Sequence, residues 1–436
     1  MSHIEGSGEL ERLVAECENS RLMAWAGGRE TVEAGPWLVY INPTNICSNR
    51  CVMCPHDEAM RPERGHMPME LFERIVDQLP AGVRKVYLLK QGEPFLNKRL
   101  PDMIAHLKTW RPDIHVAVIC NATVPLADKL DAFMPHLDSL GLSISALSPE
   151  TYRAIHGTEH HGRVQDNLAA LDAWMAQADP ETRPHVYVAY VRQRANMHEG
   201  MEEVFEHYRA NYPNLCSMDF HPLFNWQGYI EEGNPDLAGP VEDEALPCCI
   251  YPWSTLTICH DGKVAYCQEE CREDHFLGDL TEQSLMEVWN GEAFRRFRRR
   301  LAAGRYSELW DDGFLCRECS YLWDCHSQSP QNLAQGYAMG LGQREPSFGN
   351  LLALPAAELA ELAAKWFLQG ELHKTAGCLA HFGRAGAPGE LRAPLDRLRV
   401  LVDRVLAANK GHYERKVKPG ETGRPTYFPL PGGLRK

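Results

Sequence analysis

An α/β fold, in the form of a partial (β/α)6 barrel of the TIM type, is what the first half of this 436-residue chain predicts. Six short β-rich runs alternate there with amphipathic helical patterns, the signature of parallel strands joined by helices. The residues best suited to chemistry follow these runs, and in such barrels the working groups sit at the carboxyl ends of the strands. Around residue 235 the alternation stops, at Pro235, Gly239, Pro240 and Pro247, and a second group of cysteines begins.

Residues 1–36 carry Glu5, Glu9, Glu11, Glu16 and Glu18 and no uninterrupted apolar run, so they read as a helical arm and not as a secretory signal. The barrel, 37–235, takes its strands from WLVYI (37–41), RKVYLL (84–89), IHVAVIC (114–120), SLGLSIS (139–145), VYVAYV (186–191) and CSMDFH (216–221). MELFERIVDQL, LADKLDAFMPHL and VQDNLAALDAWMAQ supply helices between them. Residues 236–335 form a second, cysteine-bearing domain with one helix, LTEQSLMEVWNGEAFRRFRRRL. Its basic run, Arg295, Arg296, Arg298, Arg299 and Arg300, lies near the helix end, where cations complement the macrodipole, and reads as a solvated face. Residues 336–436 are a helical C-terminal extension with a Pro/Gly-rich tail; its role is open between capping the barrel mouth and binding a redox partner. Its most apolar stretch, LLALPAAELAELAAKWFL, is broken by Pro355, Glu358 and Glu361, and nothing in the chain has the length of apolar sequence that a membrane span needs.

The formal net charge is -14, with acidic residues spread along the chain. That argues against the basic face of a nucleic-acid binder and suits a small polar or cationic substrate. Fifteen cysteines without a secretory signal point to a reducing, cytoplasmic compartment and to metal binding rather than disulfides. Cys17, Cys120, Cys216 and Cys378 are scattered and read as small core or surface residues. The others cluster.

Cys47, Cys51 and Cys54 stand as Cys-x3-Cys-x2-Cys directly after the first run. Three thiolates so close together can wrap three irons of a cubane and leave the fourth without a protein ligand. The alternative, a zinc knot completed by His56, needs a closed four-ligand site. Gln91-Gly92-Glu93-Pro94 follows the second run, Asn121 the third, and Ser143 and Ser145 lie on the fourth.

The cysteine spacing resembles the signature of the radical S-adenosylmethionine enzymes, and the resemblance extends over most of residues 37–330. It implies that the open iron chelates the amino and carboxylate groups of S-adenosylmethionine. It also implies that reductive cleavage yields a 5'-deoxyadenosyl radical able to take hydrogen from an unactivated C–H bond. Gln91-Gly92-Glu93-Pro94 is similar to the family's Gly-Gly-Glu-Pro motif, which makes Glu93 the acceptor for the methionyl ammonium and leaves Gln91 where glycine is usual. Ser143 and Ser145 occupy the strand that often reads Ile-Ser-Ile-Asp in relatives and contacts the ribose or the methionyl carboxylate, Ser145 standing at the aspartate position. Asn121 resembles the asparagine of a Thr-Asn-Gly motif.

Cys249, Gly262 and Cys267 resemble the opening of the auxiliary-cluster domain called SPASM, or twitch when shortened, and FLGDLTEQSLMEVWNGEAFRRFR is similar to its connector. Cys316-x2-Cys319-x5-Cys325 follows, but Ser329 stands where a full SPASM has a further cysteine, so the resemblance implies one auxiliary 4Fe-4S cluster. Cys249, Cys267, Cys316 and Cys319 would close it, with Cys325 the substitute and Cys248, Cys259 and Cys271 spare. Such a cluster has no iron free for substrate and would conduct electrons.

Single auxiliary clusters of this pattern resemble those of the aminocyclitol dehydrogenases of aminoglycoside biosynthesis, close to radical dehydratases and epimerases of aminosugars. That implies hydrogen abstraction from a carbinol carbon of an aminosugar or aminocyclitol, followed by dehydrogenation or by dehydration. Tyr190, Arg192, Asp219, His221 and Asn225, at or just past strand ends, are candidates to line the pocket and to supply a base. The family implies an external electron donor of flavodoxin or ferredoxin type, joined in a deoxygenating pathway by a partner reductase. Two other readings stand beside this one. A maturase of ribosomal peptides often carries an N-terminal recognition domain, for which 36 residues are too few. A non-catalytic metal-stabilised scaffold would have no use for Glu93 or the serine strand.

Overall fold

The computed structural model describes residues 3–55, 63–215, 217–223, 226–227, 248–319, 354–368 and 372–416. Six parallel strands lie side by side in chain order: β1 (Leu38–Ile41), β2 (Lys85–Tyr87), β3 (His115–Cys120), β4 (Ser139–Ser143), β5 (His185–Arg192) and β6 (Ser217–Pro222). β7 (Thr255–Ile258) adds to the other edge of β1, also parallel, and β8 (Lys263–Ala265) and β9 (Phe276–Asp279) continue antiparallel. The second cysteine region therefore extends the sheet of the first.

Helices between the strands are α3 (Met69–Asp77), α4 (Leu100–Trp110), α5 (Leu130–Phe133), α6 (Pro149–His156), α7 (His161–Gln177) and α8 (Met201–Asn211), after an arm of α1 (His3–Glu18) and α2 (Arg21–Ala26). The second region adds α9 (Tyr251–Ser254), α10 (Leu285–Trp289), α11 (Glu292–Ala302) and α12 (Tyr306–Asp311). At the end of the chain come α13 (Ala356–Leu368), α14 (Leu372–Ala385) and α15 (Gly389–Lys416). α6 shows the local logic: Ser148 caps its start by accepting Thr151 N at 3.0 Å, Pro149 opens the first turn, and left-handed Gly157 ends it. LADKLDAFMPHL, expected as one helix, is instead broken into α5 flanked by two short 3-10 turns, the second opened by Pro135.

Strand alternation sorts the sheet residues between two faces. Val39, Val86, Val116, Val118, Leu140, Leu142, Val186, Val188 and Tyr190 belong to the main core on the helix side. The opposite, inner face carries Tyr40, Tyr87, Ser143, Tyr187 and Asp219. It carries polar and aromatic pairs among smaller apolar residues: Tyr40 stacks on Tyr87 with centroids 5.1 Å apart, His115 meets Ser139 at 3.0 Å and His185 meets Ser217 at 3.0 Å.

The arm and the C-terminal helices form one packed unit. Leu10, Leu13, Val14 and Cys17 of α1 are buried together with Leu359, Ala363, Ala364 and Phe367 of α13 and Leu395, Leu398 and Val402 of α15. Each large apolar side chain contributes about 1.5–3 kcal/mol when fully buried. The exposed pairs from Arg397 to Glu11 (2.6 Å) and Glu18 (2.9 Å) add at most about 1 kcal/mol each, so burial dominates. α2 fastens the unit to the sheet: Arg21 donates to Gly35 O (2.9 Å) and Gly82 O (2.8 Å), both ahead of strands. The described helices of the extension thus pack on the arm at the amino end of the sheet, not over the barrel mouth. No described helix is long and apolar enough to cross a membrane.

The long helix expected after β9 is two, α10 and α11, parted at Asn290-Gly291. Its basic run is not uniformly solvated either. Arg298 is fully buried; it donates to Pro252 O (2.7 Å) and Glu30 O (2.8 Å) and lies over the rings of Trp289 and Phe294. Arg298→Ala should lower stability by about 3 kcal/mol, because two carbonyls lose a charged donor and a cavity opens. Arg295→Ala, on the exposed side, should change it by less than about 0.5 kcal/mol. Denaturant midpoints of the two variants check this contrast.

Candidate active site

The segment after β1 is fixed on both flanks. On one side Asn42 N donates to Ile258 O of β7 (2.9 Å) and Thr44 Oγ1 to Gly65 O (2.7 Å). On the other, Arg50 N donates to His156 O (3.0 Å) and Val52 N to Ile155 O (2.8 Å), so the cysteine triplet lies against the end of α6. The approach requires glycine at 157, where φ is +67° and a Cβ would stand 2.4 Å from Arg50 O.

Cys47 and Cys51 have N–H donors aimed at them. Asn121 Nδ2 donates to Cys47 Sγ at 3.6 Å. His156 Nε2 accepts Ser145 N at 3.3 Å, which leaves the ring proton on Nδ1, 3.2 Å from Cys51 Sγ. Burial keeps His156 neutral, its pKa lowered to about 4. Burial also pushes the Cys47 thiol up to about 11. Burial thus disfavours a free thiolate at Cys47, and a bound cation would offset that cost, with N–H donors already placed for the thiolate. His156 was not among the residues expected from sequence, where it is one histidine at the end of an ordinary helix.

Glu93 lies at the centre of the loops. Its N–H donates to Ile46 O (2.8 Å), and its carboxylate accepts Asn121 N (2.6 Å) and Phe95 N (3.0 Å). Burial lifts its pKa to about 7 against these donors. Gly92 is left-handed (φ +82°), and a Cβ would meet Ile46 O at 2.6 Å. Gln91, at the position where glycine is usual, has no such constraint; its side chain instead donates to Glu270 O and Cys271 O. Asn121 Oδ1 accepts Thr123 N at 3.0 Å, which orients its amide. Ser143 ends β4 on the inner face. Ser145 is fully buried and its hydroxyl accepts Val191 N at 3.1 Å, so it joins β4 to β5.

The five substrate-side candidates divide. Asp219 lies on the inner face with Tyr187, and His221 stands exposed at the end of β6. Burial raises the Asp219 carboxyl, opposed by His221 and His185. Tyr190 and Arg192 occupy the alternate positions and do not line this face. Tyr190 is buried in the helix-side core, where its hydroxyl donates to Glu199, and Arg192 donates to the carbonyls of Asn196 (3.1 Å) and Glu199 (2.7 Å). Asn225 lies outside the described residues.

In the second region Cys249 precedes α9, Cys267 follows β8, and Cys316 and Cys319 share one turn, closed by Cys319 N to Cys316 O at 3.2 Å. Burial raises the thiols of Cys249, Cys267 and Cys316, and the charges of neighbouring cysteines raise them further: Cys267, Cys249 and Cys319 all act on Cys316. Glu269 N donates to Cys267 Sγ at 3.5 Å. Cys259 faces Glu273 and Lys90 instead, and Cys271 lies near Glu270, Lys90 and Cys54. Cys325, with His56 and Ser329, lies outside the described residues. Tyr266, next to Cys267, donates to Gln227 (2.8 Å) and accepts Leu315 N (3.2 Å), while Trp226 Nε1 donates to Met53 O (2.8 Å) within the first triplet.

Residues 41–173 match the model of the radical SAM superfamily, and residues 248–320 match SPASM, an iron-sulfur cluster-binding domain. The chain carries a radical SAM domain and a SPASM domain. The first brings a 4Fe-4S cluster and S-adenosylmethionine and makes the protein a radical SAM enzyme; the second brings auxiliary iron-sulfur. Among curated proteins the chain is 21% identical over 286 residues to the S-adenosyl-L-methionine-dependent 2-deoxy-scyllo-inosamine dehydrogenase of Niallia circulans, covering 65% of this chain and 92% of the relative. It is 22% identical over 309 residues to the PqqA peptide cyclase of Xanthomonas oryzae pv. oryzae, covering 62% and 78%. Among solved structures, that of BtrN in complex with AdoMet and 2-DOIA has a TM-score of 0.44 at 16% identity, covering 65% of this chain and 92% of that one.

Gly157→Ala should displace the segment holding Cys51 and Cys54 and leave the second region intact. Iron bound after reconstitution should then fall from about eight to about four per chain, by colorimetric iron and sulfide assay.

Proposed function

We propose that this radical SAM enzyme oxidises a carbinol carbon of an aminosugar or aminocyclitol, by dehydrogenation or, where a neighbouring hydroxyl leaves, by dehydration. What carries this reading is that the charges of Cys249, Cys267 and Cys319 all act on Cys316 within the SPASM-matched region, four thiols that would hold one auxiliary 4Fe-4S cluster and leave it no iron for substrate. Cys47, Cys51 and Cys54 would hold the first cluster, with the Glu93 carboxylate toward the methionyl ammonium and Asn121 and Ser143 beside it. When bound, the first cluster and S-adenosylmethionine supply a hydrogen-abstracting radical, and the auxiliary cluster accepts one electron.

The chain's own part is to place the substrate and move a proton. Tyr187 and Asp219 offer a polar inner face, and Asp219 is the cation partner for a substrate ammonium or the base for the hydroxyl. Loss of a hydrogen atom from carbon, of the hydroxyl proton to this base and of one electron leaves a carbonyl, so the step balances. Electrons for the first cluster come from an external donor of flavodoxin or ferredoxin type. A peptide substrate is the second reading, favoured by the peptide cyclase among the relatives.

Anaerobic incubation of the reconstituted enzyme with S-adenosylmethionine, dithionite and 2-deoxy-scyllo-inosamine or related aminocyclitols tests the first reading. A ketone formed in step with 5'-deoxyadenosine is expected, at least tenfold slower in Asp219→Asn. Turnover of peptides alone would overturn it. Glu93 gives a pH test. With its pKa raised to about 7, docking of an ammonium requires deprotonation, so affinity for S-adenosylmethionine should fall about tenfold per pH unit below 7 and level off above it. Folding favours its protonated form, so its stabilising contribution is complete below the ordinary carboxyl pKa and is lost as pH rises through about 7. Calorimetric titration of wild type and Glu93→Gln, the latter without this slope, checks the assignment.

A further inference from the structure

Lys90 and Gln91 connect β2 to Gly92 and Glu93, yet their side chains reach into the second region. The Lys90 ammonium, with no exposed side-chain surface, donates to Glu270 O at 2.6 Å and lies 3.2 Å from the equally buried Glu273 carboxylate. Gln91 Nε2 donates to Cys271 O (2.8 Å) and Glu270 O (3.3 Å). The turn they hold is itself strained. Glu273 is left-handed (φ +51°), and its N–H donates to both oxygens of the Glu270 carboxylate, at 2.8 and 2.9 Å. This turn leads directly from Cys267.

A buried lysine–carboxylate pair offers little net stability, since desolvation offsets the attraction, but it fixes position. The other end of the same short segment is pinned where Glu93 meets Ile46 O and Asn121 N. Four residues thus join two clamped ends. A glycine at 91 would leave the carbonyls of 270 and 271 without their amide donor.

We infer that Lys90 and Gln91 are positioning residues that couple the S-adenosylmethionine seat at Glu93 to the turn 267–273 beside the auxiliary cysteines, so that filling the seat orders the turn. The inference rests on the proposed role of Glu93. Coupling of this kind acts through shared ordering and is reciprocal.

Hydrogen–deuterium exchange on the full, reconstituted chain with and without S-adenosylmethionine tests it, in wild type, Gln91→Gly and Lys90→Met. In the wild type, ligand should slow exchange in peptides covering 92–97 and, by about fivefold or more, in those covering 266–273. Gln91→Gly should keep the first protection and its full iron content while losing the second. Protection at 92–97 with none at 266–273 in the wild type, or unchanged protection at 266–273 in both variants, overturns the coupling. No protection at 92–97 in the wild type overturns the proposed seat itself. Should Lys90→Met fail to load iron, the Gln91→Gly comparison decides alone.

Discussion

A single buried carboxylate ties together the loops at the carboxyl end of the sheet. Glu93 accepts N–H groups from the end of β3 and from its own following turn, while its backbone holds the segment that leads into the first cysteine triplet. Taking a carboxyl out of water is costly, and its raised pKa records that cost. The loops are held where they are because the buried carboxylate is answered by these two N–H groups. Around this knot the helix-side core needs only to be apolar, whereas the mouth needs particular residues.

The same logic explains the division of the molecule into two ends. At the carboxyl end the second region continues the sheet through β7 and presses its cysteine-bearing turns toward the first triplet. At the amino end, α1, α13 and α15 bury one another's apolar faces, and α2 joins them to the sheet through Arg21. Helical mass collects at the end where no chemistry is proposed, which leaves the mouth to polar side chains.

Much of this was legible in the sequence. The six strands fall on the six β-rich runs, and Asn121 reaches both Glu93 and Cys47 because each follows the end of its own strand. The direction of Tyr190 and Arg192 was not legible. VYVAYV is apolar or aromatic at every position, so its alternation carries no sign of which side faces the helices; the neighbouring strand decides it. Nor was the role of His156, since only folding brings the end of α6 against Cys51. The break at Asn290-Gly291 and the burial of Arg298 were hidden for a related reason. Five arginines in six residues look like a solvated stripe until Trp289, Phe294 and the Pro252 carbonyl enclose one of them.

The pairing of the arm with the far end of the chain sets an order on assembly. Cys17 donates to Ala364 O across 347 residues of sequence, and loop closure over such a span comes late when a chain grows from its amino end. During synthesis the arm must wait, its apolar face uncovered, while the barrel and its cysteine loops have already emerged. Both cysteine regions therefore precede α13 and α15 out of the ribosome, and iron can be loaded into a nearly complete sheet before the helical unit closes behind it.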